Sequence, residues 1–158
     1  MTERSVIHDT FCIERTYPAS TSRVFAAFAS KEAKDAWGDE EPAGGAAASA
    51  EFDFRPGGRE RFGFMYQSRT YTYDALYYDI VPDQRIVYSY EMYADGARIS
   101  VSVATIEFAK IGEGTALTWT EQGVYMDGID GPQAPASREQ GTAEMRDGLA
   151  RHLTPPAT

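Results

Sequence analysis

The chain has 158 residues, a formal net charge of −9 at pH 7 and 42% apolar residues. That length suits one domain, and the apolar fraction is too high for a disordered chain. The acidic balance disfavours nucleic acid and anionic membranes as partners, because both are negatively charged. We therefore expect one globular domain spanning residues 1–158.

The cysteine, histidine and apolar content excludes further classes. Cys12 is the only cysteine, so an internal disulfide is excluded, and its place in a predicted strand favours a buried structural residue. His8 and His152 lie near opposite ends of the chain, without metal-ligand spacing. An apolar signal core and a run of about 20 apolar residues are both missing. We expect a cytosolic protein without membrane insertion, bound metal or cofactor.

The first third of the chain predicts a strand and two short helices. Residues 7–17 alternate between apolar and polar side chains and predict a strand, which Pro18 ends. Three hydroxyl side chains are candidate N-caps for a helix over about residues 20–29, and residues 31–37 predict a second helix. Residues 38–50 are small and acidic and indicate a loop, either a surface insertion or a lid.

The middle of the chain predicts six more strands joined by short turns. Turn signals such as Asp95-Gly96 separate them. Consecutive strands with short connections favour an antiparallel meander. These strands cover residues 51–55, 59–68, 70–81, 84–93, 98–109 and 115–125.

A helix is predicted at the end of the chain. Ser137 is a candidate N-cap for a helix over about residues 138–153. One helix cannot cover seven curved strands completely, so we expect a groove or cavity between helix and sheet. The inward stripe at helical spacing is predicted to be Thr142, Met145, Leu149 and Leu153.

Six segments carry a resemblance to a known family. They are FCIERTYPASTSRVFAAFAS, KEAKDAW, FDFRPGGRERF, YDIVPDQRIVYSYEM, TIEFAKIGEGTALTWTEQG and REQGTAEMRDGLARHL. In order and spacing they resemble the Hsp90-ATPase-activator-like branch of the START/Bet v 1-like (SRPBCC) superfamily. The resemblance implies an α+β helix-grip fold, a seven-stranded curved antiparallel sheet wrapped on a long C-terminal helix, with two short helices after the first strand. Superfamily members bind lipids, hormones, polyketides or proteins and some are enzymes, so the resemblance names no substrate.

Strand alternation predicts which side chains face the groove. Apolar walls with a few polar anchors are typical of small-molecule sites. Glu121 is either an exposed or salt-bridged carboxylate, or a buried acid–base group with a raised pKa. The candidate ligand-binding residues are Trp37, Phe62, Phe64, Tyr66, Tyr88, Tyr90, Met92, Trp119, Glu121, Thr142, Met145 and Leu149.

Two glycines in the last helix have two interpretations. Gly141 and Gly148 flank Thr142, where relatives are commonly bulkier. Small residues here either widen a cavity beneath the helix or permit close packing of the helix against its neighbours.

Three functions remain open at this point. The sequence favours a protein that binds a small apolar or amphipathic molecule without catalysing a reaction. A chaperone-binding, co-chaperone-like domain is implied by the family resemblance alone. A polyketide cyclase- or hydrolase-type enzyme would use Glu121 and tyrosine hydroxyls. A homodimer is compatible with all three.

Overall fold

The chain folds as an α+β structure in which a seven-stranded antiparallel sheet packs against three helices. The structure is a computed structural model that describes residues 4–38 and 48–153. The strand order is β1-β7-β6-β5-β4-β3-β2, so β2 to β7 form a meander and β1 pairs with β7. The elements are β1 (Val6–Tyr17), α1 (Thr21–Ala26), α2 (Lys31–Gly38), β2 (Ala48–Phe52), β3 (Arg59–Tyr66), β4 (Arg69–Val81), β5 (Arg85–Ala94), β6 (Ala97–Ile111), β7 (Gly114–Met126) and α3 (Ala134–Leu153).

This arrangement confirms the predicted helix-grip fold, with shifted boundaries. The strand β2 begins at Ala48, inside the predicted loop, and α3 begins at Ala134, before the predicted Ser137 cap. Residues 39–47, on which the choice between a lid and an insertion rests, lie outside the described residues. None of the helices in the described ranges is long and apolar enough to span a bilayer.

One face of the sheet carries the core. Alternate residues of β5, β6 and β7 are buried, as the period-two pattern of a half-covered sheet requires. Tyr78 in β4 follows the buried Tyr77, so alternation places it on the opposite face, where it is 58% exposed, and a register shift between Tyr77 and Asp79 occurs at this point. The convex face also takes Cys12, whose thiol is exposed and lies 3.7 Å from the Thr120 hydroxyl. The prediction of a buried cysteine is therefore wrong, because Cys12 has the opposite parity to its buried neighbours in β1.

The two short helices close one end of the concave face. Ser20 caps α1 by accepting a hydrogen bond from the Arg23 amide at 3.2 Å. The chain after α1 buries Phe28, whose ring lies 5.1 Å from that of Trp37 in α2. The Trp37 indole N–H donates to the Ala27 carbonyl at 2.7 Å. These contacts hold α2 against the end of α1 and place Trp37 in the core.

The inward face of α3 differs from the predicted stripe. Met145 is 40% exposed, so it lies away from the sheet, and Arg146 is completely buried in its place. Gly148 lies so close to α2 that a Cβ would be 2.6 Å from the Trp37 carbonyl oxygen, whereas Gly141 is exposed with open space around it. Neither glycine widens a cavity, and Gly148 serves close packing.

We predict opposite effects of alanine at these two glycines. Gly148→Ala should lower the free energy of unfolding by about 1–3 kcal/mol, because the new methyl group meets rigid backbone. Gly141→Ala, the matched control in the same helix, should raise it by up to about 1 kcal/mol through helix propensity. Urea unfolding of both variants tests this, and equal effects would contradict the close approach of α2 and α3.

Candidate binding site

A buried carboxylate marks the centre of the concave face. Glu121 on β7 is 3% exposed. The Tyr90 hydroxyl donates a hydrogen bond to its Oε1, and the Trp119 indole N–H donates to its Oε2 at 3.1 Å. Burial raises the pKa of Glu121, and the two hydrogen bonds oppose that rise only in part. The buried interpretation of Glu121 is therefore the one that the structure supports.

Arg138, in the second turn of α3, extends this cluster. Its guanidinium donates to the Tyr90 hydroxyl and to the Ser100 hydroxyl, each at 3.1 Å. The same group lies 5.6 Å from the ring centre of Tyr90 and 5.2 Å from that of Tyr125. Arg138 thus links the start of α3 to β5, β6 and β7 through neutral oxygens and aromatic rings.

Arg146, two turns further along α3, lies among aromatic rings. Its guanidinium is 3.5 Å from the ring centre of Trp119, 5.3 Å from that of Trp37 and 5.8 Å from that of Phe28. All three guanidinium nitrogens are buried without a hydrogen-bond partner. Burial lowers the pKa of Arg146 to about 10, so the side chain remains a cation at neutral pH.

The tyrosines around the cluster act as neutral hydroxyl groups. Burial raises the pKa of Tyr73, Tyr77, Tyr88 and Tyr90 above the ordinary value. A neutral phenol can both donate and accept a hydrogen bond. Tyr90 does both here, since it donates to Glu121 and accepts from Arg138.

An aromatic surface extends from the cluster across β3 and β4. The ring of Tyr73 lies 5.0 Å from that of Tyr90 and 4.9 Å from that of Phe62, and Phe64 stacks on Tyr71 at 5.3 Å. We call this surface the aromatic wall. Its members are half-buried, unlike the residues beneath α3, and comprise Phe62, Phe64, Tyr71, Tyr73 and Met92.

A second polar group lies near the wall. The Lys34 ammonium contacts the Glu60 carboxylate at 2.5 Å, and the Tyr77 hydroxyl donates to the same oxygen at 3.0 Å. Glu60 is 5% exposed. This acid is neutralised by a cation from α2, so it serves to hold α2 to the sheet.

The structure brings most of the predicted site residues together, in two layers. The first layer is buried and comprises Tyr88, Tyr90, Trp119 and Glu121 of the sheet with Thr142 and Leu149 of α3, and the second is the wall, to which Phe62, Phe64 and Met92 belong. Trp37 is buried against Arg146. Tyr66 at the end of β3 is 45% exposed and Met145 is 40% exposed, so neither joins these layers.

Sequence reasoning missed the two arginines. Arg138, Thr142 and Arg146 are spaced by four residues and continue into Leu149 and Leu153, so all five share one helical stripe. That spacing was a signal that could have found them. Arginine is usually assigned to the surface, and this preference favoured Met145 over Arg146.

Side chains fill the space directly beneath α3. Arg146 and Leu149 are fully buried there, and Trp119 and Glu121 nearly so. Two open clefts lie along β1, the larger of about 470 Å³ and bounded by Cys12, Arg15, Glu139 and Ala143 among others. The residues of the aromatic wall are only half-buried.

The fold and this inward-facing polar cluster together define a helix-grip protein of the START/Bet v 1-like (SRPBCC) class. A family model described as Activator of Hsp90 ATPase homolog 1-like protein matches residues 18–154. The chain belongs to that family. Among curated proteins no significant match is found.

Solved structures of bacterial proteins resemble the chain closely. Protein Mll3558 from Rhizobium loti is 47% identical, with a TM-score of 0.83 over 94% of this chain and 99% of that one. A protein from Rhizobium leguminosarum is 39% identical, with a TM-score of 0.83 over 96% and 98%. Protein CV1439 from Chromobacterium violaceum is 25% identical, with a TM-score of 0.75 over 92% and 97%.

We predict that Glu121→Gln changes how stability depends on pH. Because burial raises the pKa of Glu121 above its ordinary value near 4.5, the folded state keeps the proton at pH values where the unfolded chain releases it. The carboxyl group's contribution to stability is then complete below the unfolded pKa and is lost as pH rises through the folded pKa. The wild type should therefore lose stability relative to Glu121→Gln as pH rises through that window.

Urea unfolding at a series of pH values measures this difference. Glu107→Gln on β6 is the control, because Glu107 is exposed, and its curve should run parallel to that of the wild type. A Glu121→Gln curve parallel to both would show that Glu121 does not titrate differently on folding.

Proposed function

We propose that the protein binds a small amphipathic molecule on the aromatic wall, with its polar end directed at the Arg138–Tyr90–Glu121 cluster. The observation that carries the proposal is the continuity of the two layers. The ring centre of Tyr90 lies 5.0 Å from that of Tyr73 in the wall. The Tyr90 hydroxyl also links Arg138 to Glu121 by accepting a hydrogen bond from the first and donating one to the second. An apolar surface that leads to a few fixed polar groups is the usual design of a small-molecule site.

The exposure of the wall supports this proposal. Four aromatic side chains, stacked in two pairs, and Met92 remain half-buried, whereas Tyr88, Tyr90 and Trp119 are buried. Covering such a surface with an apolar molecule contributes about 25 cal/mol per Å² of apolar area removed from water. The ligand would therefore gain most of its affinity from the wall and its orientation from the polar cluster.

The other two functions have less support. Both oxygens of Glu121 already accept hydrogen bonds from Tyr90 and Trp119, so a cyclase- or hydrolase-type reaction would first have to release one of them. A co-chaperone role rests on the family description, to which the described surfaces add no observation. Binding without chemistry needs no rearrangement of Glu121.

The neutral fluorescent probe N-phenylnaphthylamine tests the proposal. We expect saturable binding by the wild type, weakened about tenfold in Phe64→Ala, since truncating a contacting aromatic ring costs about 1.5–3 kcal/mol. Tyr78→Ala is the matched control, because Tyr78 lies on the opposite face of the sheet, and its affinity should equal that of the wild type. Absence of saturable binding, or equal losses in both variants, would contradict a site on the wall.

A further inference from the structure

The interior beneath α3 contains more positive than negative charge. The Arg138 guanidinium donates to neutral oxygens, and the Arg146 guanidinium has no hydrogen-bond partner. Within residues 4–38 and 48–153, neither guanidinium forms an ion pair with a carboxylate. Among the side chains that the structure describes, Glu121 is the buried acid without a salt-bridge partner, because Glu60 is paired with Lys34. Two cations therefore face one carboxylate whose pKa is raised.

Stability alone does not explain this excess of charge. A buried cation without an anionic partner is costly, and an apolar side chain of similar volume commonly replaces it without loss. The overall charge of the chain is −9, so the excess is specific to this region and is not a property of a basic protein. Contact with the Trp119 ring compensates part of the free-energy cost of burying this cation, but the guanidinium nitrogens of Arg146 remain without hydrogen-bond partners.

We propose that the molecule bound on the aromatic wall carries an acidic group, that Arg138 binds this group, and that the buried charge of Arg146 strengthens its binding. This proposal rests on the proposed function and adds to it the chemical class of the ligand, an amphipathic carboxylate or a similar monoanion. Its body lies on the wall and its charged end lies at α3.

The geometry assigns different parts to the two arginines. Arg138 lies at the inner edge of the wall, beside Tyr90, and its planar guanidinium suits a carboxylate, which can accept two parallel hydrogen bonds. Arg146 lies deeper, behind Trp119, where its unneutralised charge raises the electrostatic potential that the acid experiences. Low exposure strengthens both effects, since water screens them little.

Phenylbutyrate and phenylbutanol provide a matched pair of probes, with one aromatic body and either an acid or an alcohol. Each is used to displace N-phenylnaphthylamine from the wild type and from variants. We expect phenylbutyrate to bind the wild type about tenfold more tightly than phenylbutanol, as charge-assisted hydrogen bonds require. Arg138→Met and Arg146→Met should weaken the binding of phenylbutyrate more than that of phenylbutanol and so bring this ratio towards one.

Arg98→Met is the control for loss of one positive charge. Arg98 is exposed and pairs with Glu91 at 3.0 Å, so its loss should leave the ratio at the wild-type value. A fall in the ratio equal to that in Arg138→Met would overturn the receptor assignment, because the effect would then be one of net charge.

Stability separates a receptor from a structural role for Arg146. Arg146→Met should unfold at a urea concentration equal to or higher than the wild type, because the flexible methionine side chain can keep apolar contact with the three rings while an unpartnered buried cation is removed. Loss of stability together with an unchanged binding ratio would overturn the role of Arg146. Should that variant fail to fold, Arg146→Lys keeps the charge and Arg138→Met tests the receptor independently.

Failure of this proposal is distinguishable from failure of the proposed function. Equal affinities of the wild type for phenylbutyrate and phenylbutanol would overturn the acidic ligand and leave the wall as a binding surface. Absence of probe binding would overturn both. The two tryptophans of the chain both contact Arg146, so phenylbutyrate should also change intrinsic fluorescence more than phenylbutanol does.

Discussion

The stacking of Arg146 on Trp119 joins α3 to the sheet, and the rest of the concave face is organised around it. The guanidinium lies 3.5 Å from the ring centre. The backbone of the same residue is also held, because the Tyr17 hydroxyl of β1 donates to the Arg146 carbonyl at 3.2 Å. Side chain and backbone of one residue thus contact two neighbouring strands, β7 and β1. The helix is positioned by a charge among aromatic rings, with Leu149 and Leu153 adding apolar burial only towards its end.

The helix α2 depends on the same contact. Trp37 reaches Arg146 from the other side, and Gly148 lets the Trp37 backbone approach α3 so closely that a methyl group would not fit. The ring of Phe28 completes the surroundings of the guanidinium. A change at Arg146 therefore affects α2, α3 and β7 together, and contacts that share one side chain are not expected to be energetically independent.

The fold was predictable from the sequence because it depends on the periodicity of apolar residues along each element. Much of the site was not predictable, because it depends on residues whose burial differs from what is usual for their type. Alternation in β5 and β7 correctly placed Tyr88, Tyr90 and Trp119 on one face. The same reasoning failed for α3, where hydrophobicity ranked Met145 as the inward residue although the four-residue spacing from Arg138 pointed to Arg146. Cys12 was expected to be buried by residue type, yet its parity in β1 places it on the convex face. Residue type is only a statistical guide to burial, whereas parity and helical spacing are geometric.

One helix against seven strands buries the two halves of the sheet to different degrees. Large side chains with polar ends fill the space between α3 and the sheet, and two of them are the arginines of α3, Arg138 and Arg146. The uncovered area lies over β3 and β4, where the rings of the wall stack on one another and remain half-buried. A site of this shape is open at one end and charged at the other. If the wall is the binding site proposed above, a molecule with a definite polar end fits it better than a wholly apolar one, because Arg138 lies where it can offer charge-assisted hydrogen bonds.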